Sequence, residues 1–333
     1  METNLKNKRR IVGLFVLIAI LVVTSTIFYI NLIGFSIYEK PNNSNIVRVG
    51  YLPILASLPL YVTQENGYFK EENINVEIVQ LQSSNQLVDA LVRGDIDIVV
   101  ESSAVPVLAV ETINPNKIKI FSVSDITPKT PFDSIIIKDD SRINNLKDLE
   151  GKKIGVFPGS TSTALLKSFL EDKGVNTKKI EFIQIIPPNQ LPALYGGSVD
   201  ALHSYEPTTT IALESKNAIR LYSSIYAEQL NHNPQGVALV SSKFIEGNPS
   251  LAKRVINSFD KASDFIENED SETREIIVKY VKVDEEVAGN VVILYMGRSD
   301  EIDEKVLQKY ADMLYELGEL KTKVDVSNLI YNS

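Results

Sequence analysis

Hydroxyl side chains cluster at Pro158-Gly159-Ser160-Thr161-Ser162, just before an amphipathic run that predicts a helix over residues 164–172. Hydroxyls at such a position cap a helix, and the free N–H groups there can also bind an acceptor atom of a ligand. A cap needs only one hydroxyl. Three in succession therefore favour a binding role over capping alone.

Four further serines and a proline follow predicted strands at other points of the chain. Ser102 and Ser103 stand at a strand-to-helix junction, where a hydroxyl either caps the helix or donates to a ligand. Ser84 follows a different strand, where serine is commonly a turn residue. Pro53 and Ser57 bound the turn after the first strand. All are candidates to contact a ligand.

Two carboxylates and a tyrosine complete the candidate set. Glu101 ends an apolar strand, and a carboxylate there needs a partner or water. It meets either an N–H or amine of a ligand, or a salt-bridge or helix-cap partner within the protein. Glu206 precedes a predicted helix, whose dipole favours an acid at that end. Tyr205 offers an aromatic face and a hydroxyl.

Residues for metal binding or catalysis are sparse. His203 and His232 are the two histidines, without the short spacing of zinc ligands, and a lone histidine on a strand is usually packed in the core. The chain has no cysteine, which excludes disulfides, thiolate metal sites and thiol catalysis. No nucleophile, base and orienting group stand at recognisable spacing. The sequence therefore predicts no metal, no cofactor and no enzymatic activity.

The elements around these residues alternate short β-branched runs with amphipathic segments, which is typical of the α/β class. After residue 249 the pattern predicts helices whose apolar faces pack on the first lobe of the fold. Asn233-Pro234-Gln235 either reaches the ligand or forms a surface turn, and the turn is the preferred interpretation. The predicted strands are 47–51, 75–81, 96–101, 117–122, 134–138, 153–157, 180–185, 199–203 and 236–241.

An internal repeat divides these strands into two similar halves. Val49-Gly50-Tyr51-Leu52-Pro53 returns as Ile154-Gly155-Val156-Phe157-Pro158, 105 residues later. Ala90-Leu91, Gly94, Ile96 and Asp97 return, shifted by 103, as Ala193-Leu194, Gly197, Val199 and Asp200. Ligands of open α/β sheets bind beyond the carboxyl ends of the strands. We therefore expect two such edges to face each other across a cleft lined by the candidate residues.

Four stretches resemble the solute-binding proteins of nitrate, sulfonate, taurine and thiamine-precursor ABC importers. They are VRVGYLP at 47–53, ENGYF at 65–69 with INVE at 74–77, residues 87–97 with 102–106, and RINNLKDLEGKKIGVFPGS at 142–160. The resemblance implies a two-lobed, type II periplasmic-binding-protein-like fold. It implies a hinge of two crossover strands near 132–138 and 236–241, with lobe 1 formed by 46–137 and 237–333, and lobe 2 by 138–236. In the family the segment matching Tyr205 faces the cleft, which favours Tyr205 over Glu206 as a ligand contact.

The N-terminus predicts a membrane anchor. Residues 11–35 carry no charge and as a helix span roughly 37 Å, more than the ~30 Å hydrocarbon core. Basic residues precede them, which places residues 1–10 in the cytoplasm and everything after a linker at 36–45 outside. A cleaved signal peptide is the alternative, but its apolar region would be shorter and followed by small residues.

The net charge of the chain limits the classes of partner that it is expected to bind. The chain has a net charge of −9 and its first 35 residues carry +3, so the outer part carries −12. Such a surface argues against nucleic acid. The expected function is capture of a small molecule and delivery to an ABC permease.

A ligand-binding sensor is an alternative. An enzyme of thiamine-type pyrimidine synthesis is another, although the enzyme resembling this family uses a cysteine cluster that this chain lacks. The ligand class stays open between an oxyanion, suited to hydroxyls and helix N-termini, and a ring bearing N–H groups, suited to the carboxylates and Tyr205.

Overall fold

The computed structural model describes residues 46–331. The predicted cytoplasmic end, transmembrane anchor and linker lie outside this range. Within it, no helix combines the length and apolar character needed to cross a bilayer.

Two β-sheets organise the described residues. The larger sheet contains β1 (Ile46–Tyr51), β2 (Asn75–Gln80), β3 (Ile98–Ser103), β4 (Ile118–Ile126), β10 (Asn233–Ser241) and β11 (Tyr295–Met296). The smaller sheet contains β5 (Asp133–Lys138), β6 (Lys153–Val156), β7 (Glu181–Gln184), β8 (Ala201–Tyr205) and β9 (Ala218–Ser223).

Helices connect and cover these strands. The earlier ones are α1 (Leu58–Glu65), α2 (Tyr68–Glu71), α3 (Ser84–Arg93), α4 (Ala104–Ile113), α5 (Ser160–Asp172), α6 (Pro187–Tyr195), α7 (Thr208–Glu214) and α8 (Ile225–Gln229). The later ones are α9 (Ser242–Gly247), α10 (Pro249–Asn268), α11 (Asp270–Val281), α12 (Glu285–Asn290) and α13 (Glu304–Glu316). Short 3₁₀ helices cover Leu55–Ser57, Leu146–Leu149, Thr177–Lys179 and Val326–Leu329.

The sequence repeat corresponds to equivalent strand pairs. Gly50 of β1 lies beside Val99 of β3, and Gly155 of β6 lies beside Leu202 of β8, both in parallel register. A Cβ added at either glycine would approach a buried leucine or isoleucine methyl group to 2.5 Å. Each repeat therefore needs glycine where apolar side chains cross its first strand.

The two sheets also share one strand order. The larger reads β2-β1-β3-β10-β4 with β11 at the edge, and the smaller reads β7-β6-β8-β5-β9. In each, the fourth strand runs antiparallel to its neighbours and comes from the other half of the chain. The α/β prediction is confirmed, and the two sheets agree with the two-lobed architecture that the resemblance implies.

The chain passes between the sheets at two connections. Residues 127–132 lead from β4 to β5, and residues 224–232 lead from β9 to β10. The strands predicted to cross, near 132–138 and 236–241, are therefore the first strands after each connection. The predicted bounds of the two lobes stay a prediction.

All nine predicted strands are present, whereas β9 and β11 were not predicted. The C-terminal helices pack on the larger sheet as predicted. Phe259 of α10 lies 5.8 Å, centroid to centroid, from the ring of Phe121 on β4 and 5.6 Å from that of Phe69 on α2. Val255 and Ile256 of the same helix are buried beside it.

Candidate functional site

A cavity of about 600 Å³ is lined by the strand ends and helix starts of both sheets. From the larger sheet it takes the loop after β1, the start of α3 and the end of β3. From the smaller sheet it takes the loop after β6, the start of α6 and the segment after β8. A cavity of this size can enclose a small organic ligand.

Most of the sequence-predicted site residues meet at this cavity. Those lining it are Pro53, Ser84, Glu101, Ser102, Ser103, Gly159, Ser162, Tyr205 and Glu206. Ser57 does not line it, because its buried hydroxyl donates to the Leu52 carbonyl (2.8 Å) within the turn. The backbone of Ser160 and Thr161 forms the start of α5.

The helix after the hydroxyl cluster begins earlier than predicted. α5 starts at Ser160 instead of residue 164, so the three hydroxyl residues form its first turn and do not precede it. Ser162 Oγ donates to the Phe157 carbonyl at 2.5 Å, which fixes the loop after β6 against this turn. No side chain caps the helix. Its first N–H groups are therefore the donors that this end of the cavity offers.

The serines on the other side serve local structure. Ser103 is the N-cap of α4 and accepts from Val105 N–H (3.4 Å), while its own N–H donates to Ser84 Oγ (3.0 Å). Ser102 Oγ donates to the Ser103 carbonyl at 3.1 Å. These bonds hold the end of β3 against the start of α3. Helix capping and local hydrogen bonds therefore account for the positions of these hydroxyl groups without a ligand.

Glu101 lies at the floor of the cavity and is 7% exposed. Ser124 Oγ–H on β4 donates to its Oε2 at 3.0 Å. Within residues 46–331, Glu101 forms neither of the predicted internal contacts, a salt bridge or a helix cap. Burial raises the pKa of the Glu101 carboxyl to about 8, and the Ser124 hydrogen bond opposes this shift.

Glu206 is held more tightly by its own loop. Its Oε2 accepts from Thr210 N–H (3.2 Å), which caps α7, while Oε1 is buried without a hydrogen-bond partner. Burial raises the pKa of the Glu206 carboxyl to about 7, partly offset by the Thr210 hydrogen bond. The helix-dipole role predicted for this acid is therefore present as a direct bond to the first turn.

Tyr205 belongs to an aromatic cluster at the base of the smaller sheet. Its ring lies 6.2 Å from that of Phe132 and 5.7 Å from that of Phe157, centroid to centroid. Its hydroxyl shares a 2.6 Å hydrogen bond with the hydroxyl of Tyr226, which is fully buried. The ring of Tyr205 therefore packs against its aromatic neighbours and also lines the cavity.

His203 is a packed core residue, as its position on a strand predicted. Its Nε2 lies 3.0 Å from Asp133 Oδ2, and both side chains are fully buried. Among the described residues, no group of three or more histidines and carboxylates could hold a metal ion.

One cavity residue comes from a segment for which a surface turn was preferred over a ligand contact. Asn233-Pro234-Gln235 is the start of β10 and not a surface turn: Asn233 is buried and donates through Nδ2 to the Tyr226 carbonyl (3.1 Å). The interpretation was wrong because the proline sits where the strand enters the sheet. Gln235 then reaches the cavity, and its Oε1 accepts from Tyr310 OH at 2.6 Å.

Residues from far along the chain close the cavity. Val281 ends α11, and Lys282 and Val283 follow it. Leu294 precedes β11, and Glu319 follows α13. Local patterns carry no signal for them, because they reach the cavity only through the packing of the C-terminal helices on the larger sheet.

Comparisons with known proteins agree with this geometry. The family model described as "NMT1/THI5 like" matches residues 55–273. A Bacillus subtilis protein named "Putative aliphatic sulfonates-binding protein" is 26% identical over 294 residues, covering 86% of each chain.

Solved structures show the same fold at low identity. The periplasmic aliphatic sulphonate binding protein SsuA from Escherichia coli matches with a TM-score of 0.70 at 20% identity, over 86% of this chain and 92% of that one. The alkanesulfonate-binding protein SsuA from Xanthomonas axonopodis pv. citri, bound to MOPS, matches with a TM-score of 0.71 at 19% identity, over 87% and 99%.

Proposed function

We propose a function from one premise: this chain belongs to the NMT1/THI5-like family. We infer that it is a non-enzymatic, extracytoplasmic solute-binding protein, which captures a small molecule in the cavity and delivers it to an ABC importer. The similar proteins are named for binding solutes, and the E. coli structure is described as periplasmic.

The observation that carries this proposal is a cavity shared by two sheets joined through two short connections. Both sheets contribute strand ends and helix starts to its lining. Residues 127–132 and 224–232 are the connections between them. A molecule that contacts both sides stabilises a closed arrangement, because it binds that state better than an open one.

The proposal includes the expected organisation of the chain. Residues 46–137 with 237–333 form lobe 1, residues 138–236 form lobe 2, and residues 11–35 hold the protein on the outer face of the membrane. The cavity-lining members of the candidate set, among them Ser84, Glu101, Gly159 and Tyr205, contact the ligand.

Closure can be measured directly because the chain has no cysteine of its own. Asp89 of α3 and Asn189 of α6 are exposed, one on each side of the cavity. Spin labels attached after Asp89→Cys and Asn189→Cys in the full-length protein should move closer when a ligand binds. The ligands tested are nitrate, taurine, alkanesulfonates and thiamine-type pyrimidines, and a ligand at 100 times its Kd should stabilise the fold by about 2.7 kcal/mol.

A second pair of labels controls for local effects. Asp172→Cys with Asn189→Cys places both labels on helices of the smaller sheet, so their separation should stay constant. Stabilisation without a change in the first distance would contradict closure. Failure of every compound to stabilise the protein would contradict the solute-binding function for these classes.

A further inference from the structure

The charged groups around the cavity are mostly acidic. The ionisable side chains that line it are Glu101, Glu206, Glu319, Lys282 and Tyr205, with no arginine or histidine among the described lining residues. Lys282 is exposed to solvent, where water and salt screen its charge. When they are ionised, the carboxyl groups of this lining outnumber its one cationic side chain.

Glu101 is the acid best placed to bind a ligand group. Ser124 Oγ–H donates to its Oε2, and the described contacts include no hydrogen bond to the other oxygen, Oε1. Glu206 also has one oxygen without a partner, Oε1, but its Oε2 accepts from Thr210 N–H, which holds this carboxyl group at the start of α7. A carboxylate in a poorly hydrated site gains more than an exposed one from pairing with a cation that brings its own N–H donors.

The helix starts at the cavity offset this negative charge only in part. Ser83 accepts from Gln86 N–H at the start of α3, Ser103 caps α4, and α6 begins with Pro187 and Pro188, which have no N–H. α5 alone among these has an N-terminal turn without a side-chain or proline cap. An acceptor group of the ligand fits that end, away from Glu101.

Aromatic rings supply an apolar wall beside these polar ends. Phe132, Phe157 and Tyr205 line the cavity, and the ring of Tyr205 contacts both phenylalanine rings. Rings of this kind pack well against a flat apolar body and also attract a cation through their faces.

We propose that the ligand carries a protonated amine or amidine, which pairs with the carboxylate of Glu101, on an apolar or aromatic body. This inference rests on the proposed solute-binding function and narrows its ligand class. It makes Glu101 the residue that selects a cation against a simple anion such as nitrate or an alkanesulfonate.

The sign of the pH dependence separates the two classes. Burial raises the pKa of Glu101 to about 8, so a cation that needs the ionised carboxylate should bind more tightly as pH rises towards that value. An anion that needs the protonated carboxyl should bind with nearly constant affinity below that pH and more weakly as the pH rises above it.

Other ionisable groups face Glu101 and have to be considered. Asp260 of α10 lies across a small space behind the carboxylate and accepts from Ser299 Oγ (2.7 Å). Asp125, next to Ser124 on β4, lies 3.5 Å from His232. Glu206, Glu319, Lys282 and Tyr205 line the same cavity as Glu101. A change that survives in a Glu101 variant belongs to one of these groups.

The experiment is calorimetric titration of the full-length protein with benzamidinium and benzenesulfonate, two ring ions of similar size and opposite charge. Benzamidinium should bind, with affinity rising up to about tenfold per pH unit below the Glu101 pKa. Glu101→Gln should fold, since Ser124 can donate to the amide oxygen, and should lose both the affinity and its pH dependence. Glu77→Gln, an equal charge change at an exposed position of β2, should change neither.

Each outcome decides the inference. Binding of benzenesulfonate in place of benzamidinium, with affinity falling as pH rises, overturns the cation class and leaves the solute-binding function standing. Absence of benzamidinium binding at millimolar concentration also overturns it. If Glu101→Gln fails to fold, the sign of the pH dependence in the unaltered protein still decides between a cation and an anion.

Discussion

Gly236 holds the Glu101 carboxylate in place by leaving space for it. A Cβ built on Gly236 would lie 1.6 Å from Glu101 Oε1. The side chain of Glu101 is therefore packed directly against the backbone of β10. The floor of the cavity depends on this residue pair across two strands.

We predict that Gly236→Ala displaces the carboxylate and destabilises the protein by about 1–3 kcal/mol, since a methyl group is forced into a filled site. Urea unfolding gives the free energy, and calorimetry shows whether ligand affinity falls with it. Gly247→Ala is the control, because a Cβ there meets nothing within 4 Å, and it should be neutral or slightly stabilising. Equal midpoints for the two variants would contradict the close packing.

Sequence reasoning found cavity residues where a strand end marks them. Glu101 to Ser103 and Tyr205 to Glu206 end apolar strands, so hydrophobic pattern and repeat together placed them at one edge. Ser57 was misplaced because the turn after β1 bends its hydroxyl back onto Leu52. Lys282 and Glu319 could not be found, since their approach depends on long-range packing of helices.

At the scale of elements, the internal repeat extends to the strands β4 and β9. β4 begins at Ile118 and its counterpart β9 begins at Ala218, close to the shift of 103 that relates the other pairs. The repeat therefore predicts a strand at β9. A search for apolar runs misses it, because β9 contains charged and half-exposed residues. β11, only two residues long, gives no such signal.

The two repeats also hold their central strands together differently. Asp97 accepts from Arg48 N–H (2.9 Å) and pairs with the Arg48 guanidinium (2.7 Å), and it is 9% exposed. Its counterpart Asp200 is exposed and accepts from Lys153 N–H at 2.8 Å. Both aspartates thus accept the same backbone hydrogen bond. Asp97 also pairs with a charged side chain, whereas the described contacts of Asp200 include no such partner.

We predict that Asp97→Ala costs about 2–3 kcal/mol of unfolding free energy and Asp200→Ala about 1 kcal/mol or less, because a buried charge-assisted pair loses more than an exposed bond. Denaturant unfolding of the two variants in parallel measures the difference. Equal losses would show that Arg48 contributes nothing beyond the shared backbone contact.

At the scale of the whole molecule, the described residues, 46–331, belong to one compact unit. Both sheets, the cavity and the packed C-terminal helices belong to that unit. We propose separate roles for the two parts of the chain, with attachment assigned to the apolar run at 11–35 and ligand binding to the folded unit. Deletion of the first can be tested without cutting into either sheet.

We predict that the full-length protein stays in the membrane fraction after carbonate extraction with its N-terminus intact, because residues 11–35 are long and apolar enough to span the bilayer. Deletion of residues 1–40 should release a soluble protein with an unchanged melting temperature and ligand affinity, since no strand or lining residue of the cavity is removed. Fractionation, N-terminal sequencing and thermal unfolding measure these outcomes. Mature N-termini between Ile37 and Asn45 in the native membrane fraction would show that the segment is a cleaved signal, and a lower melting temperature of the shortened protein would show that the folded unit depends on it.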